Sequence, residues 1–242
     1  VMAQTLEKWI KTSVEPIQKR IDKKGLSTLS NEYFFRDPPR PIFINPNYFY
    51  APADGIIIYQ KIVENFLDPI IEVKGINYSL KELMMNKEYE EPSIVIGIFM
   101  SFYDVHVNRA PYSGYIKWKD LDPIKSYNKP MLFLEKNLIK NLPVYENMEY
   151  LKVNERRINE ITCYDEELKY YIVQIADYDV DVVCHFVDQN EFVYQNQRFS
   201  QIRWGSQVDL VIPLKYLSDG YELIQETFTH VESGIDPILK IV

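Results

Sequence analysis

Along the first 25 residues, Leu6, Ile10, Val14, Ile17 and Ile21 recur at spacings of three and four, with Trp9 on the same side. That period predicts an amphipathic helix. Pro16 lacks an N–H and clashes inside a helix, so a split into two helices is expected there. Four prolines between 38 and 46, within an aromatic-rich strip, force extended or turn backbone that should wrap across the body. From Tyr50 onward the pattern is short β-branched or aromatic runs. These are Ile56 to Tyr59, Ile70 to Val73, Ile94 to Phe102, Tyr115 to Lys117, Tyr170 to Ala176, Val180 to Val187 and Val208 to Ile212. Asp54-Gly55, Ser113-Gly114 and Asp219-Gly220 punctuate them as turns. A helix is expected over Ser79 to Asn86. No βαβ alternation occurs, which disfavours a parallel doubly wound sheet. The pattern predicts a mainly β fold, a sandwich or barrel with N-terminal helices.

Composition narrows the function classes. The 242 residues are 46 % hydrophobic and 26 % charged, as in an ordinary globular chain. A net charge of −8 argues against nucleic acid as a partner, because such domains are usually basic. The two cysteines, Cys163 and Cys184, provide neither a disulfide framework nor a four-ligand zinc site, and fit a reducing, cytoplasmic setting. No apolar run approaches the roughly 18 to 20 residues that span a bilayer, and lysines interrupt any signal-like core. Charge is unevenly spread. Residues 1–25 carry six Lys/Arg against three Asp/Glu, a net of +3, which leaves −11 for the rest. Such a leader either packs its apolar side on the body or rests on an anionic membrane.

Candidate chemistry is sparse. His106, His185 and His230 lack metal-ligand spacing, so no metal is expected. Neither a Gly-rich phosphate loop nor a G-x-S-x-G elbow occurs, so no nucleotide is expected. Three residues stand out. His106 lies where an apolar run enters a polar, Pro/Gly-ended turn, a place for proton transfer or for a structural histidine. Asp54 precedes a β-run in an Asp-Gly dipeptide that also reads as plain turn chemistry. Ser206 follows Gly205 in a dipeptide that is commonplace alone.

Together the segments are not commonplace. Ala51-Pro-Ala-Asp-Gly55, Asp104-Val-His-Val-Asn-Arg-Ala-Pro111 with Ser113-Gly114, Asn154-Glu-Arg156, and Arg203-Trp-Gly-Ser206 with Val208-Asp209 and Pro213 resemble phosphatidylserine decarboxylases, the pyruvoyl-dependent family. Glu32-Tyr-Phe-Phe-Arg36 with Arg40-Pro41 is similar to the family's opening segment, and the likeness spans roughly residues 28 to 240. The chain departs from it in two segments. Asp177, Asp179 and Asp181 stand where positive charge is usual in the short branch, and Gln207 stands where Thr, Ser or Arg is more usual.

The resemblance implies a proenzyme that cuts itself, here between Gly205 and Ser206. Ser206 would be the nucleophile, His106 its base, and Asp54 the holder of the imidazole tautomer, the logic of a serine-protease triad. Residue 206 would become a pyruvoyl group, the cofactor, on a 37-residue fragment, 206–242. That group would turn phosphatidylserine into phosphatidylethanolamine through a Schiff base, with His106 also protonating the carbanion. The implied fold is a barrel-sandwich of the duplicated hybrid type. Its last turn and strand, Glu232 to Leu239, would close the barrel, and a homodimer is implied. The chain then divides into a leader, 1–27, and a decarboxylase domain, 28–242. The leader, Leu6 to Ile21, is the expected docking element on an anionic, phosphatidylserine-bearing membrane, which makes the protein peripheral. Two alternatives keep the scaffold: decarboxylation of a soluble amino acid, or an unprocessed lipid-binding relative.

Overall fold

In the computed structural model, the residues described are 3–25, 32–33, 35–73, 76–124, 127–164, 168–178, 183–202 and 206–242. The chain opens with β1 (Gln4–Thr5) and α1 (Leu6–Trp9), then a π-helical turn, Ile10–Val14, and α2 (Glu15–Lys24). Next come β2 (Tyr48–Tyr50), β3 (Gly55–Val63), β4 (Ile71–Val73), β5 (Ile76–Tyr78) and α3 (Leu80–Leu83). β6 (Ser93–Met100), β7 (Val107–Arg109) and β8 (Gly114–Leu121) precede α4 (Leu132–Ile139) and α5 (Tyr150–Val153). The rest is β9 (Arg156–Thr162), β10 (Lys169–Ala176), β11 (Val183–His185), β12 (Glu191–Val193), β13 (Arg198–Ile202), β14 (Ser206–Pro213), β15 (Tyr221–Leu223), β16 (Thr229–Val231) and β17 (Pro237–Ile241).

The fold is mainly β, as the pattern predicts. Among the described residues, nine strands form one antiparallel sheet in the order β1-β16-β3-β6-β14-β10-β9-β8-β12. Smaller sheets, β11-β13-β7 and β15-β17-β2, pair beside it. No barrel closes among the described residues. β17 pairs with β2 and β15 and not with the large sheet, so the last turn and strand do not seal it. The middle strands β6 and β14 are buried at every position. Alternate residues of β14 therefore face two cores. Val208, Leu210 and Ile212 join one with Met100, Ala176 and Phe199, whereas Val211 joins the other with Val95, Phe99 and Ile175.

The leader corrects two expectations. Pro16 does not split it. The π-helical turn lets the Glu15 N–H reach the Ile10 carbonyl, and Pro16 then sits in the first turn of α2, where its missing N–H costs little. Nor is the apolar side available for docking: Leu6, Trp9, Val14 and Ile21 are buried in the second core. Trp9 stacks on the His230 ring at 4.8 Å and meets the Tyr103 ring edge-on. Lys8, Lys11, Lys19, Arg20, Lys23 and Lys24 face outward instead. Among the described residues no helix is long and apolar enough to cross a membrane.

Other expectations fare unevenly. The 79–86 helix is one turn, 80–83, begun by a Ser79/Glu82 capping box and ended where Met85 takes a positive φ of 44°. The proline strip forms neither helix nor strand and is fastened by side chains: Arg36 Nη2 donates to the Tyr103 carbonyl at 2.8 Å, and the Asn45 N–H donates to Gln195 Oε1 at 2.6 Å. In the 180–187 run, β11 covers only Val183–His185; residues 180–182, and with them Asp181, lie outside the described residues, as does Asp179.

Candidate active site

Ser206 is the first residue of β14, in the middle of the large sheet. It pairs with Met100 of β6 on one side and Ala176 of β10 on the other, and it is fully buried. Its Oγ donates to Met100 Sδ at 3.5 Å. Asn108 Nδ2 reaches the same sulfur at 3.7 Å, so the His106–Arg109 segment and Ser206 meet over one methionine. Asn108 is also held by Gln174 Nε2 at 2.7 Å, and Gln174 by Ser200 and Asn159. The carbonyl of His106 accepts from the Ile202 N–H at 3.1 Å. The chain thus runs from a residue fastened to the histidine's backbone, through 203–205, to the serine. Gly205, the other half of the expected cleavage bond, lies outside the described residues.

His106 is fully buried just before β7. Its Nδ1 lies 3.0 Å from the Asp104 carbonyl, which selects the Nδ1–H tautomer and makes Nε2 the acceptor nitrogen. Burial pushes its pKa down to about 4, against the pull of Asp104, so the imidazole is neutral at pH 7. A neutral imidazole is the form a general base needs.

Asp54 is buried beside β3. Its oxygens accept both Arg40 guanidinium nitrogens, at 2.5 and 2.7 Å, and the Ser233 N–H at 2.8 Å. Asp54 is close enough to His106 to favour the imidazole's charged form, and the tautomer-setting contact given above comes from the Asp104 carbonyl. Arg40 also donates to Ser233, which ties the proline strip, the turn after β16 and Asp54 together. A bidentate, buried guanidinium–carboxylate pair fixes orientation as well as charge.

Two groups escape a reading of the sequence. The Asp104 side chain accepts from Ser101 N and Oγ at 2.8 and 2.6 Å and pairs with His230 Nε2 at 2.7 Å. Burial pushes its carboxyl up, but His230 and Ser101 outweigh burial and hold it below the ordinary value. The second group is Glu135 on α4. Its Oε1 accepts from the Phe102 N–H at 3.1 Å, and Asp177 Oδ1 accepts from the Met131 N–H at 2.8 Å. Phe102 and Asp177 follow the two strands that flank Ser206, so α4 roofs the end of the sheet where the serine stands. Burial, with Asp104 and Asp177 nearby, pushes the Glu135 carboxyl up to about 8. The only signal for it was the Met131, Leu134, Leu138 spacing of a helix, which gives no hint of a buried acid.

Fold and site define a mainly β protein with a buried, strand-borne serine, a buried, neutral histidine whose segment meets it over Met100, and a fixed carboxylate. The phosphatidylserine decarboxylase family model matches residues 31–231, and the chain belongs to that family, a decarboxylase made as a proenzyme. It is 34 % identical over 185 residues to a putative archaetidylserine decarboxylase proenzyme of Methanocaldococcus jannaschii, covering 76 % of this chain and 79 % of that one. It is 32 % identical over 181 residues to a phosphatidylserine decarboxylase proenzyme of Xanthobacter autotrophicus, covering 75 % of this chain and 63 % of that one. A putative archaetidylserine decarboxylase proenzyme of Methanothermobacter thermautotrophicus is 32 % identical over 185 residues, covering 74 % of this chain and 69 % of that one.

Proposed function

We propose that this protein cuts itself between Gly205 and Ser206 and decarboxylates the serine headgroup of a phospholipid, phosphatidylserine, to the ethanolamine form. The observation that carries the reading is the shared methionine. Ser206 Oγ and Asn108 Nδ2 converge on Met100 Sδ, and His106, two residues before Asn108, anchors the backbone from which residues 203–205 lead to the serine.

Ser206 Oγ attacks the Gly205 carbonyl carbon while its proton passes to His106 Nε2. The bond to the residue 206 nitrogen breaks, that nitrogen takes the proton, and an ester joins the two residues. Loss of the Cα proton of residue 206 then expels the Gly205 carboxylate and leaves a dehydroalanine. Water adds and ammonia departs, which leaves a carbonyl at the head of 206–242. The Asp104 carbonyl holds the His106 tautomer throughout, and Arg40 and Ser233 fix the Asp54 carboxyl in place.

The residues present fit a pyruvoyl group at 206. The position is enclosed, and the strand behind it is buried and paired on both edges, so a fragment beginning there stays in place. Such a group supplies a carbonyl that condenses with an amine and takes up the electron pair left by carbon dioxide. The lipid stays in its bilayer, so the protein works as a peripheral one. The leader's apolar side is already buried, so what it offers an anionic surface is the outward charge of Lys8, Lys19 and Lys23.

Intact mass of the purified protein tests the reading. Two chains meeting at 205/206, with residue 206 short of its amine, are expected, along with turnover of phosphatidylserine in vesicles. A wild-type chain that stays whole, or a cut protein that turns over free amino acids and not the lipid, overturns it.

A further inference from the structure

The far side of β14 carries a feature that the chemistry above does not use. Strand alternation turns Ser206 toward one core and Gln207 toward the other. There Gln207 meets Tyr59, Tyr150 and Asp209, all of them buried. Tyr150 donates its hydroxyl to Gln207 Oε1 at 2.5 Å. Gln207 Nε2 donates to Asp209 Oδ1 at 2.6 Å and to the Tyr59 hydroxyl oxygen at 2.7 Å. The Tyr59 hydroxyl donates to Asp209 Oδ2. Every side chain in the set thus bonds another.

The backbone is shaped to admit this cluster. β3 and β6 shift register between Ile57 and Tyr59, so Ile58 is an extra residue and Tyr59 joins it on the same side. Tyr59 then lies opposite Gly97, which is itself paired with Asp209 across β6 and β14. A Cβ on Gly97 would stand 2.4 Å from the Tyr59 ring, so only glycine lets the ring lie flat and reach the carboxyl.

We infer that Tyr59, Tyr150 and Asp209 clamp Gln207 and so fix the register of β14 once the chain is cut, which makes them positioning residues for the carbonyl-bearing end. The inference rests on the self-cleavage proposed above. Before the cut, residue 206 is held from both sides along the chain. After it, only residue 207 holds it along the strand. A slip of one residue would carry residue 206 to the opposite face. Apolar neighbours such as Val95, Phe99 and Val211 mark the register less sharply, because apolar attraction is non-directional. The clamp marks it sharply, since a slip leaves buried donors and acceptors unmet. Burial pushes the Asp209 carboxyl up to about 7 despite the hydrogen bonds from Tyr59 and Gln207, a cost that makes sense for a group kept for its geometry.

The test uses the full chain and two clamp variants, Tyr150→Phe and Gln207→Met, with Val211→Ala as a control on the same face. Processing is read by mass. The exposed carbonyl is read by its labelling rate with an aminooxy probe, and decarboxylation by kcat and KM. The clamp variants should still cut, label about tenfold faster, and lose about tenfold in kcat at little-changed KM. Val211→Ala should lower the melting temperature and leave labelling at the wild-type rate. Clamp variants that label and turn over like wild type overturn the clamp while leaving self-cleavage standing, as does a Val211→Ala that labels as fast as they do. A wild-type chain that stays whole overturns both.

Discussion

Replacing Glu135 with Gln should make the protein more stable as the pH rises. The carboxyl is only 5 % exposed and sits near two other acids, Asp104 and Asp177, which together with burial move it from an ordinary 4.5 to about 8. Between those values the folded chain keeps the proton and the unfolded chain has lost it. The unfolded state binds fewer protons, so stability falls with pH by about 1.4 kcal/mol per unit in this window. From pH 5 to pH 8 the parent therefore loses about 4 kcal/mol through this one group. That is a large share of the roughly 5–15 kcal/mol that holds a domain folded. Glutamine keeps the acceptor for the Phe102 N–H and does not ionise. Urea unfolding of both proteins at pH 5 and pH 8, in a Ser206→Ala background that keeps the chain continuous, measures the difference. The advantage of Glu135→Gln should grow by about 4 kcal/mol over the range. An advantage that stays the same at both pH values refutes the assignment of Glu135 as a proton-bearing buried acid.

Three further outcomes follow from the site and the leader. His106→Ala should leave the chain whole by mass and gel at neutral pH; cutting at the wild-type rate would remove His106 from the chemistry. Trp9→Ala empties the space between His230 and Tyr103 and should cost about 3–5 kcal/mol, about 10 °C in melting temperature for a chain of this size; an unchanged melting temperature would show the leader undocked. Sedimentation with anionic vesicles should fall steeply as salt rises from about 0.05 to 0.5 M, because exposed lysines act through a screened field; salt-independent binding would point to an inserted apolar surface instead.

Much of this architecture could be read from side-chain alternation. The runs that became β6, β10 and β14 were visible because strands buried on both faces leave continuous apolar stretches. The leader's apolar side was equally plain, but periodicity does not say what a helix lies against, and the protein's own core took that side. Pro16 misled because the rule against interior proline assumes an unbroken α-helical ladder, whereas here the π-helical turn precedes it. α4 leaves little trace in the sequence because its outward face keeps apolar residues such as Leu132 and Phe133, which blurs the amphipathic signal. At the site, local motifs mark Asp54, His106 and Ser206, and all three are buried, with the starts of β3 and β14 lying against the end of β6. The partners came from far along the chain. Arg40, between Pro39 and Pro41, reaches Asp54 from a strip that is neither helix nor strand, and His230 reaches Asp104 across 126 positions. Pairings of that length leave no trace in spacing.

β16 carries a last consequence. It lies between β1, at the start of the leader, and β3, while β14 lies between β6 and β10. A fragment running from 206 onward is therefore woven into the large sheet at two separate places and into the β15-β17-β2 sheet at a third. If the chain is severed at 205/206, the weave is made beforehand, while both halves are still tethered. Maturation then runs one way. The unsevered chain can find its structure alone, but a denatured mature molecule must reassemble from two separate pieces, and its endurance is set by how slowly it comes apart.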